Sequence, residues 1–316
     1  MKKIPNRQVH LDFHTSEMID QVGSKFSAEE FADTLKNANV EAVTLFTRCH
    51  HGNLYYDSTK YPERIHPHLK VKDMYREQAK ECRKKGIKVY LYTTICWDIR
   101  VAAEHPEWVA IDDYARISRR ETGNIFEDPG FHVDLCINSP YREFCKEQIA
   151  DALENCPVDG VLVDASFVVE CCCPRCRKSM LEKHLNPADP QDRKKHAWQI
   201  YYDFVREMTD YLHEIDSDYD IFFNKGHVGA QDIPVRDCFD YVAVESQPAN
   251  CGYMDFPVSA RYLRTWGVPV VGMTGRFLTG WGDNNSYRNQ AALEYESFSA
   301  LSYGGLCNIG DQLPPS

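Results

Sequence analysis

The sequence contains 316 residues, of which 43% are apolar and 12% aromatic, enough for a large core and too much for a disordered chain. Lys and Arg number 36 against 47 Asp and Glu, which gives a net charge of −11, and no basic run stands out. Nucleic acids and anionic membranes bind clustered cations, so this balance argues against both as partners.

The first residues and the cysteines predict where the protein resides. No apolar stretch approaches the ~20 residues that a membrane span requires. The start, MKKIPNRQVHLDF, lacks the apolar region of a signal peptide. The 13 cysteines include the adjacent triplet Cys171, Cys172 and Cys173, and without a secretion signal they predict reduced thiols in the cytoplasm.

Short apolar runs rich in β-branched residues alternate with helical patterns along the chain. The predicted strands are Gln8–His14, Ala42–Arg48, Lys88–Ile95, Gly160–Asp164, Ile221–Asn224, Tyr241–Ser246, Pro269–Thr274 and Gly304–Gly310. The predicted helices are Ser27–Ala38, Val71–Lys85, Ser139–Asn155, Lys194–Ile215, Asp255–Trp266 and Ser286–Ser302. This order predicts an α/β fold, a single (β/α)8 TIM-like barrel over residues 1–316.

Two segments depart from a regular barrel. The stretch from Trp97 to Asn138 is long and contains GNIFEDPGF, so we expect it to form a loop over the barrel mouth. The chain ends at LPPS directly after the eighth predicted strand, which leaves no residues for an eighth helix. Two explanations are open: an oligomer or another partner covers the incomplete barrel, or the chain lacks C-terminal domains of a longer protein.

Nearly every predicted strand ends in polar or ionisable residues, as in HLDFH, TRCHH, LVDAS and AVESQ. Barrel enzymes carry their catalytic groups at these strand ends. Asp164 and Glu245 would place two carboxylates in one cavity, which is what glycoside hydrolysis requires. The alternatives are a helix cap for Asp164 and an ion pair between Glu245 and an inner Arg such as Arg276.

Further polar and aromatic side chains are expected around these carboxylates. His10, Asp12 and His14 alternate along the first strand and should share its inward face. Aromatic faces beside hydrogen-bonding groups suit a sugar ring. The residues that we predict to bind a carbohydrate substrate are His14, His50, His51, Trp97, Arg276, Trp281 and Asp311, with Gln312 also at the mouth.

The spacing of Cys171, Cys173 and Cys176 is C-x-C-x-x-C, which fits a structural zinc site with a fourth ligand from elsewhere, either Cys136 or Cys145. Unligated thiols are the alternative. No phosphate-binding glycine loop is apparent, and no cofactor is expected to take part in catalysis.

The motifs HLDFHTSE, LFTRCHHGNLYY, TTICWD, DGVLVD with CCCPRC, ESQPANCGY, GMTGRF and NIGDQLP resemble the hypothetical glycosyl hydrolase 6 domain, the catalytic barrel of glycoside hydrolase family 151, described as α-L-fucosidases. The sequence is more distantly similar to α-L-fucosidase family 29, through His50-His51, Trp97-Asp98 and Asp164. The resemblance implies a retaining exo-glycosidase, an α-L-fucosidase, in which Asp164 is the nucleophile and Glu245 the acid/base.

Three alternatives stay open at this point. One is another glycosidase of the β-galactosidase kind, although barrel β-galactosidases carry Asn-Glu at the fourth strand, where this chain has Val163-Asp164. Another is a metal-dependent barrel hydrolase with the ligands His10, Asp12, His14, His227 and Asp311. The third is a non-catalytic barrel that binds sugars or serves in an assembly.

Overall fold

The computed structural model describes residues 3–119, 131–154, 156–283 and 286–316, and within them eight strands form one parallel sheet. The strands are β1 Arg7–Asp12, β2 Ala42–Phe46, β3 Lys88–Thr94, β4 Gly160–Asp164, β5 Asp220–Phe223, β6 Val242–Glu245, β7 Val270–Gly275 and β8 Leu306–Gln312. Their lateral order is β5-β4-β3-β2-β1-β8-β7-β6, so the sheet curls into a nearly closed barrel. The predicted (β/α)8 TIM-like fold is confirmed, and each strand lies within a few residues of its predicted position.

Helices pack around this barrel. Those that the described residues form are α1 Ala28–Asn37, α2 Met74–Lys84, α3 Ile99–Glu104, α4 Tyr141–Leu153, α5 Pro174–Glu182, α6 Pro190–Ile215, α7 Pro248–Cys251, α8 Asp255–Leu263 and α9 Gln290–Ser302. Helix α1 begins as its sequence predicts, because the Ser27 hydroxyl accepts a hydrogen bond from the Glu30 N–H (3.3 Å). In the described chain no helix follows β8.

The seam of the barrel lies between β5 and β6. Asp240, just before β6, ties the two strands at their N-terminal ends. Its backbone N–H donates to the Ile221 carbonyl oxygen (3.1 Å), and its carboxylate accepts from the Ile221 N–H (2.9 Å). The opposite end of the seam is joined by a side chain, Asn224, which follows β5 and reaches Glu245 at the end of β6.

Below the mouth, the barrel interior combines apolar and aromatic side chains with buried polar pairs, in which Asn308 donates to Gln8 and Tyr90 donates to Asp220. Strands β2 and β4 are apolar apart from Thr44 and the terminal Asp164, because both of their faces are covered. The rings of Phe46 and Tyr92 stack inside the barrel with centroids 3.7 Å apart, and both contact the His10 ring edge-on. Of the predicted mouth loop, the described part includes α3 and a 3-10 turn at Pro106–Trp108, whereas residues 123–130 of GNIFEDPGF lie outside the described residues.

None of the helices in the described ranges combines the length and the apolar character needed to cross a bilayer.

Candidate active site

A cavity of about 860 Å³ opens at the C-terminal ends of the strands, within the size range of small-molecule sites. Polar and aromatic side chains line it together. They include His10, Asp12, His14, His50, Trp97, Phe131, His132, Asp164, Phe167, Asn224, Lys225, Glu245, Thr279, Trp281, Asp283 and Gln312.

The two predicted carboxylates meet at one amide group. The Asn224 side-chain nitrogen donates to Asp164 Oδ1 (2.8 Å) and to Glu245 Oε1 (2.6 Å). Those two oxygens are therefore no further apart than the sum of the two bonds, about 5.4 Å. Each residue comes from the end of a different strand, β4, β5 or β6, so the barrel itself sets this spacing.

The surroundings of the two carboxyl groups differ. Burial, followed by the charge of Asp164, raises the pKa of Glu245 to about 7. Burial also raises the pKa of Asp164, but hydrogen bonds from the Tyr92 hydroxyl (2.6 Å) and from Asn224 oppose that rise by stabilising its ionised form. Near neutral pH this arrangement favours an ionised Asp164 beside a Glu245 that still carries a proton.

His14 and His50 stack on each other with ring centroids 4.0 Å apart, and burial lowers the pKa of both rings, that of His14 to about 4. The two rings are therefore neutral at pH 7. His14 Nδ1 accepts from the backbone N–H of His50 (3.2 Å), so its proton is on Nε2. His14 thus offers a hydrogen-bond donor to a ligand.

His50 carries its proton on the other nitrogen. The Thr94 hydroxyl donates to the Trp97 carbonyl oxygen (3.1 Å), so it accepts from His50 Nδ1 (2.8 Å). His50 Nε2 therefore carries no proton and can only accept a hydrogen bond. It lies 3.9 Å from Asp164 Oδ2, and because the ring is neutral the two residues do not form an ion pair. His50 Nε2 thus offers a hydrogen-bond acceptor to a ligand.

Aromatic rings form two sides of the cavity. Trp97 packs on Phe167 with centroids 4.6 Å apart, and its indole N–H donates to Asp134 Oδ1 (3.1 Å). On the far side Trp281 lies directly over Gly310 of β8, where an added Cβ would be 2.1 Å from the indole ring. Only glycine leaves room for the indole at this point of β8.

Three predicted substrate-binding residues do not line the cavity. Arg276 and Asp311 form an ion pair with each other (2.5 Å), and the Arg276 guanidinium stacks on the Tyr287 ring. The expected alternative of an ion pair between Arg276 and Glu245 is therefore wrong. Gln312 lines the cavity in place of Asp311 because neighbouring strand residues face opposite ways. His51 lies against Phe131, and His50 is the member of the pair that reaches the cavity.

Sequence reasoning missed Tyr92 and Asn224 as partners of the carboxylates. Asn224 directly follows β5, while Asp164 and Glu245 end β4 and β6, so its position at the carboxyl end of a strand was the available signal. Tyr92 shares the inward face of β3 with Tyr90 and Thr94 but comes before the strand end. His10, expected on the inward face of the first strand, also borders the cavity, and its Nε2 donates to Asp12 Oδ1 (3.0 Å).

The structure brings the predicted cysteine ligands together but does not bring together the ligands expected of a metal-dependent hydrolase. Among the described residues, one group of three or more His, Cys, Asp or Glu has the spacing of a metal site, namely Cys136, Cys171, Cys173 and Cys176. Cys145 instead lies beside Arg48 (3.9 Å). The ligand set of the metal-dependent hydrolase does not assemble, because Asp311 pairs with Arg276 and His227 is exposed.

Comparison with known proteins places this geometry in context. Residues 27–165 match the family described as hypothetical glycosyl hydrolase 6. The fold matches α-L-fucosidase isoenzyme 2 from Paenibacillus thiaminolyticus with a TM-score of 0.91 and 33% identity, over 99% of this chain and 46% of that protein. No curated protein matches the sequence.

More distant structures share the fold alone. A β-galactosidase from the psychrophilic Marinomonas ef1 matches with a TM-score of 0.67 and 14% identity, over 96% of this chain and 54% of that one. A family 29 α-L-fucosidase from Bacteroides thetaiotaomicron matches with a TM-score of 0.54 and 15% identity, over 93% of this chain and 59% of that one. The chain thus spans about half the length of these solved relatives. The chain is therefore similar to the hypothetical glycosyl hydrolase 6 family over residues 27–165 and to the barrel of an α-L-fucosidase over nearly its whole length, while the more distant structures share its fold.

Proposed function

We propose that this barrel is the catalytic domain of a retaining exo-glycoside hydrolase in which Asp164 is the nucleophile and Glu245 the acid/base. The observation that carries the proposal is the single Asn224 amide that binds both carboxyl groups and keeps the two bound oxygens within about 5.4 Å. Retaining glycosidases hold their carboxyl groups roughly 5–5.5 Å apart, whereas inverting enzymes need about 6.5–9.5 Å to admit a water.

The mechanism has two displacements. In the first, an Asp164 oxygen attacks the anomeric carbon while Glu245 gives its proton to the departing glycosidic oxygen, which breaks the glycosidic bond and forms a glycosyl ester. In the second, Glu245 takes a proton from a water that attacks the same carbon, and the ester bond breaks to release the sugar and the Asp164 carboxylate. The different environments of the two carboxyl groups suit these roles.

The other groups that line the cavity suit a sugar ring. His14 Nε2 donates and His50 Nε2 accepts, so the stacked pair matches two neighbouring hydroxyl groups. Trp97 and Trp281 offer apolar faces on opposite sides. The fucosidase from Paenibacillus thiaminolyticus, 33% identical, supports an α-L-fucoside as the substrate. A carbohydrate substrate is also consistent with the acidic net charge and the absence of a basic run, which give no reason to invoke nucleic acid.

Hydrolysis of a panel of nitrophenyl glycosides tests this proposal, with the α-L-fucoside first and a β-galactoside included. Asp164→Asn should lower kcat/KM by about 10³-fold or more, because it removes the carboxylate oxygen that would attack the anomeric carbon. Glu245→Gln should slow the second step more than the first, since nitrophenolate leaves without much help from an acid. Asp311→Asn, a matched change outside the cavity, should retain activity.

The outcomes separate the alternatives. Cleavage of another sugar with the same dependence on Asp164 would keep the mechanism and replace the substrate. A folded protein that cleaves no glycoside would favour the non-catalytic sugar-binding barrel. Activity that survives in Asp164→Asn would refute the assignment of the nucleophile.

A further inference from the structure

Four cysteine thiols from separate parts of the chain converge beside the active-site cavity. Cys136 comes from the segment that follows Trp97, and Cys171, Cys173 and Cys176 come from the loop after β4 and the start of α5. All four sulfur atoms lie within 4.8 Å of one another, and all four residues are buried. The cluster is thus assembled by the fold and shielded from solvent.

The distances match a tetrahedral metal site better than disulfides. Cys136 Sγ lies 3.5 Å from Cys176 Sγ and 3.9 Å from Cys173 Sγ. A zinc ion bound at about 2.3 Å to four thiolates separates its sulfur ligands by about 3.8 Å. A disulfide needs about 2.05 Å between two sulfur atoms and would leave the other pair unexplained.

Groups around the cluster would stabilise thiolates. The Cys173 backbone N–H donates to Cys171 Sγ (3.4 Å), and the Asn138 side-chain nitrogen donates to Cys176 Sγ (3.5 Å). Cys173 caps the nine-residue helix α5 and Cys176 lies in its first turn, where the helix dipole favours negative charge. Such donors to the sulfur atoms are the usual outer contacts of zinc–thiolate sites.

We propose that Cys136, Cys171, Cys173 and Cys176 bind one zinc ion. This ion holds in place the wall of the cavity that the rings of Trp97 and Phe167 form. Four protein ligands leave no open coordination position, so the ion is structural and takes no part in catalysis. The site is independent of the proposed glycosidase activity, because none of its ligands lines the cavity.

Short connections join the cluster to the wall. On one side, Leu135 donates its backbone N–H to the Cys96 carbonyl oxygen (2.8 Å), and Asp134 accepts the indole N–H of Trp97 (3.1 Å). On the other side, Phe167 is four residues before Cys171, and its ring packs on Trp97. A zinc ion would therefore clamp together the two segments that carry these rings.

Metal content of the purified chain tests the proposal directly. We expect about one zinc ion per chain in the unmodified protein, since a closed four-thiolate site binds a single ion. Cys176→Ser should lose the ion. Cys172→Ser is the matched control, because this adjacent buried cysteine lies outside the cluster and should retain it. Cobalt in place of zinc should give the absorption of a tetrahedral thiolate complex.

Hydrogen exchange tests the clamp. Removal of zinc with a chelator and a thiol reagent should speed exchange of the amides of Leu135 and Cys136, while those of β7, across the barrel, should change little. If Cys176→Ser does not fold, metal content and the cobalt spectrum of the unmodified protein still decide the matter. A folded chain that contains no zinc after growth in zinc-rich medium, and that binds no cobalt, would overturn the proposal, as would equal metal loss in Cys172→Ser.

Discussion

Replacement of Glu245 by Gln should stabilise the protein above neutral pH and leave it unchanged in acid. Burial and the neighbouring Asp164 raise the pKa of Glu245 from 4.5 to about 7 in the folded state. A raised pKa favours the folded state below the unfolded pKa, and this contribution is lost as the pH rises through the folded pKa. At about 1.36 kcal/mol per pKa unit, the change amounts to about 3 kcal/mol.

Glutamine is a suitable probe because its side-chain oxygen can still accept the Asn224 hydrogen bond, while it has no charge to bury. Urea unfolding followed by tryptophan fluorescence at several values from pH 4 to pH 8 would measure the effect. The free energy of unfolding of Glu245→Gln, minus that of the unmodified protein, should grow by about 3 kcal/mol over this range. Glu182→Gln, at an exposed site, is the control for the substitution itself. A difference for Glu245→Gln that stays constant over this pH range would contradict a raised pKa of Glu245.

Three further predictions concern activity. The value of kcat/KM should fall on the alkaline side of about pH 7 as Glu245 loses its proton, and on the acidic side as Asp164 gains one. Asn224→Ala removes a hydrogen bond that lowers the pKa of both carboxyl groups, so the alkaline limb should move to higher pH and kcat should fall by about 10-fold or more. Gly310→Ala should displace the Trp281 indole and raise KM, measured against the same glycoside.

Each of these has a contradicting result. A value of kcat/KM that does not change between pH 6 and 8 would mean that Glu245 does not transfer the proton. If the alkaline limb of the kcat/KM profile does not move in Asn224→Ala, the Asn224 amide does not lower the pKa of Glu245. Trp281→Ala is the comparison for Gly310→Ala, and both substitutions should raise KM. An unchanged KM would mean that the indole does not contact the sugar.

The barrel was predictable because its strands are short, nearly continuous apolar runs between amphipathic helices, a pattern typical of buried parallel strands. The positions of Asp164 and Glu245 followed from the same pattern, since both residues close such runs. Neighbouring residues on an extended segment face opposite sides, which is why His51 and Asp311 were difficult to distinguish from His50 and Gln312 before the strand ends were known.

The partners of the site residues were less predictable. Asn224 binds Asp164 and Glu245 only because β4, β5 and β6 are brought side by side, and Arg276 meets Asp311 because β7 pairs with β8. Likewise, the sequence left Cys136 and Cys145 as equal candidates beside the cysteine triplet. Which of the two cysteines joins the cluster depends on the position of helix α4. Cys145 lies on that helix and faces Arg48, whereas Cys136 precedes the helix.

Capture of the glycosyl ester is the most direct test of whether Asp164 is the nucleophile. The chain would be incubated with the 2-deoxy-2-fluoro glycosyl fluoride of the sugar that it cleaves best, because the fluorine slows both steps while the fluoride leaving group restores the first. Mass spectrometry of the intact chain and of its peptides would then locate the added sugar. We expect one sugar per chain, attached to Asp164, and none in Asp164→Asn. An adduct on another residue, or turnover to product of inverted configuration without an adduct, would contradict this expectation.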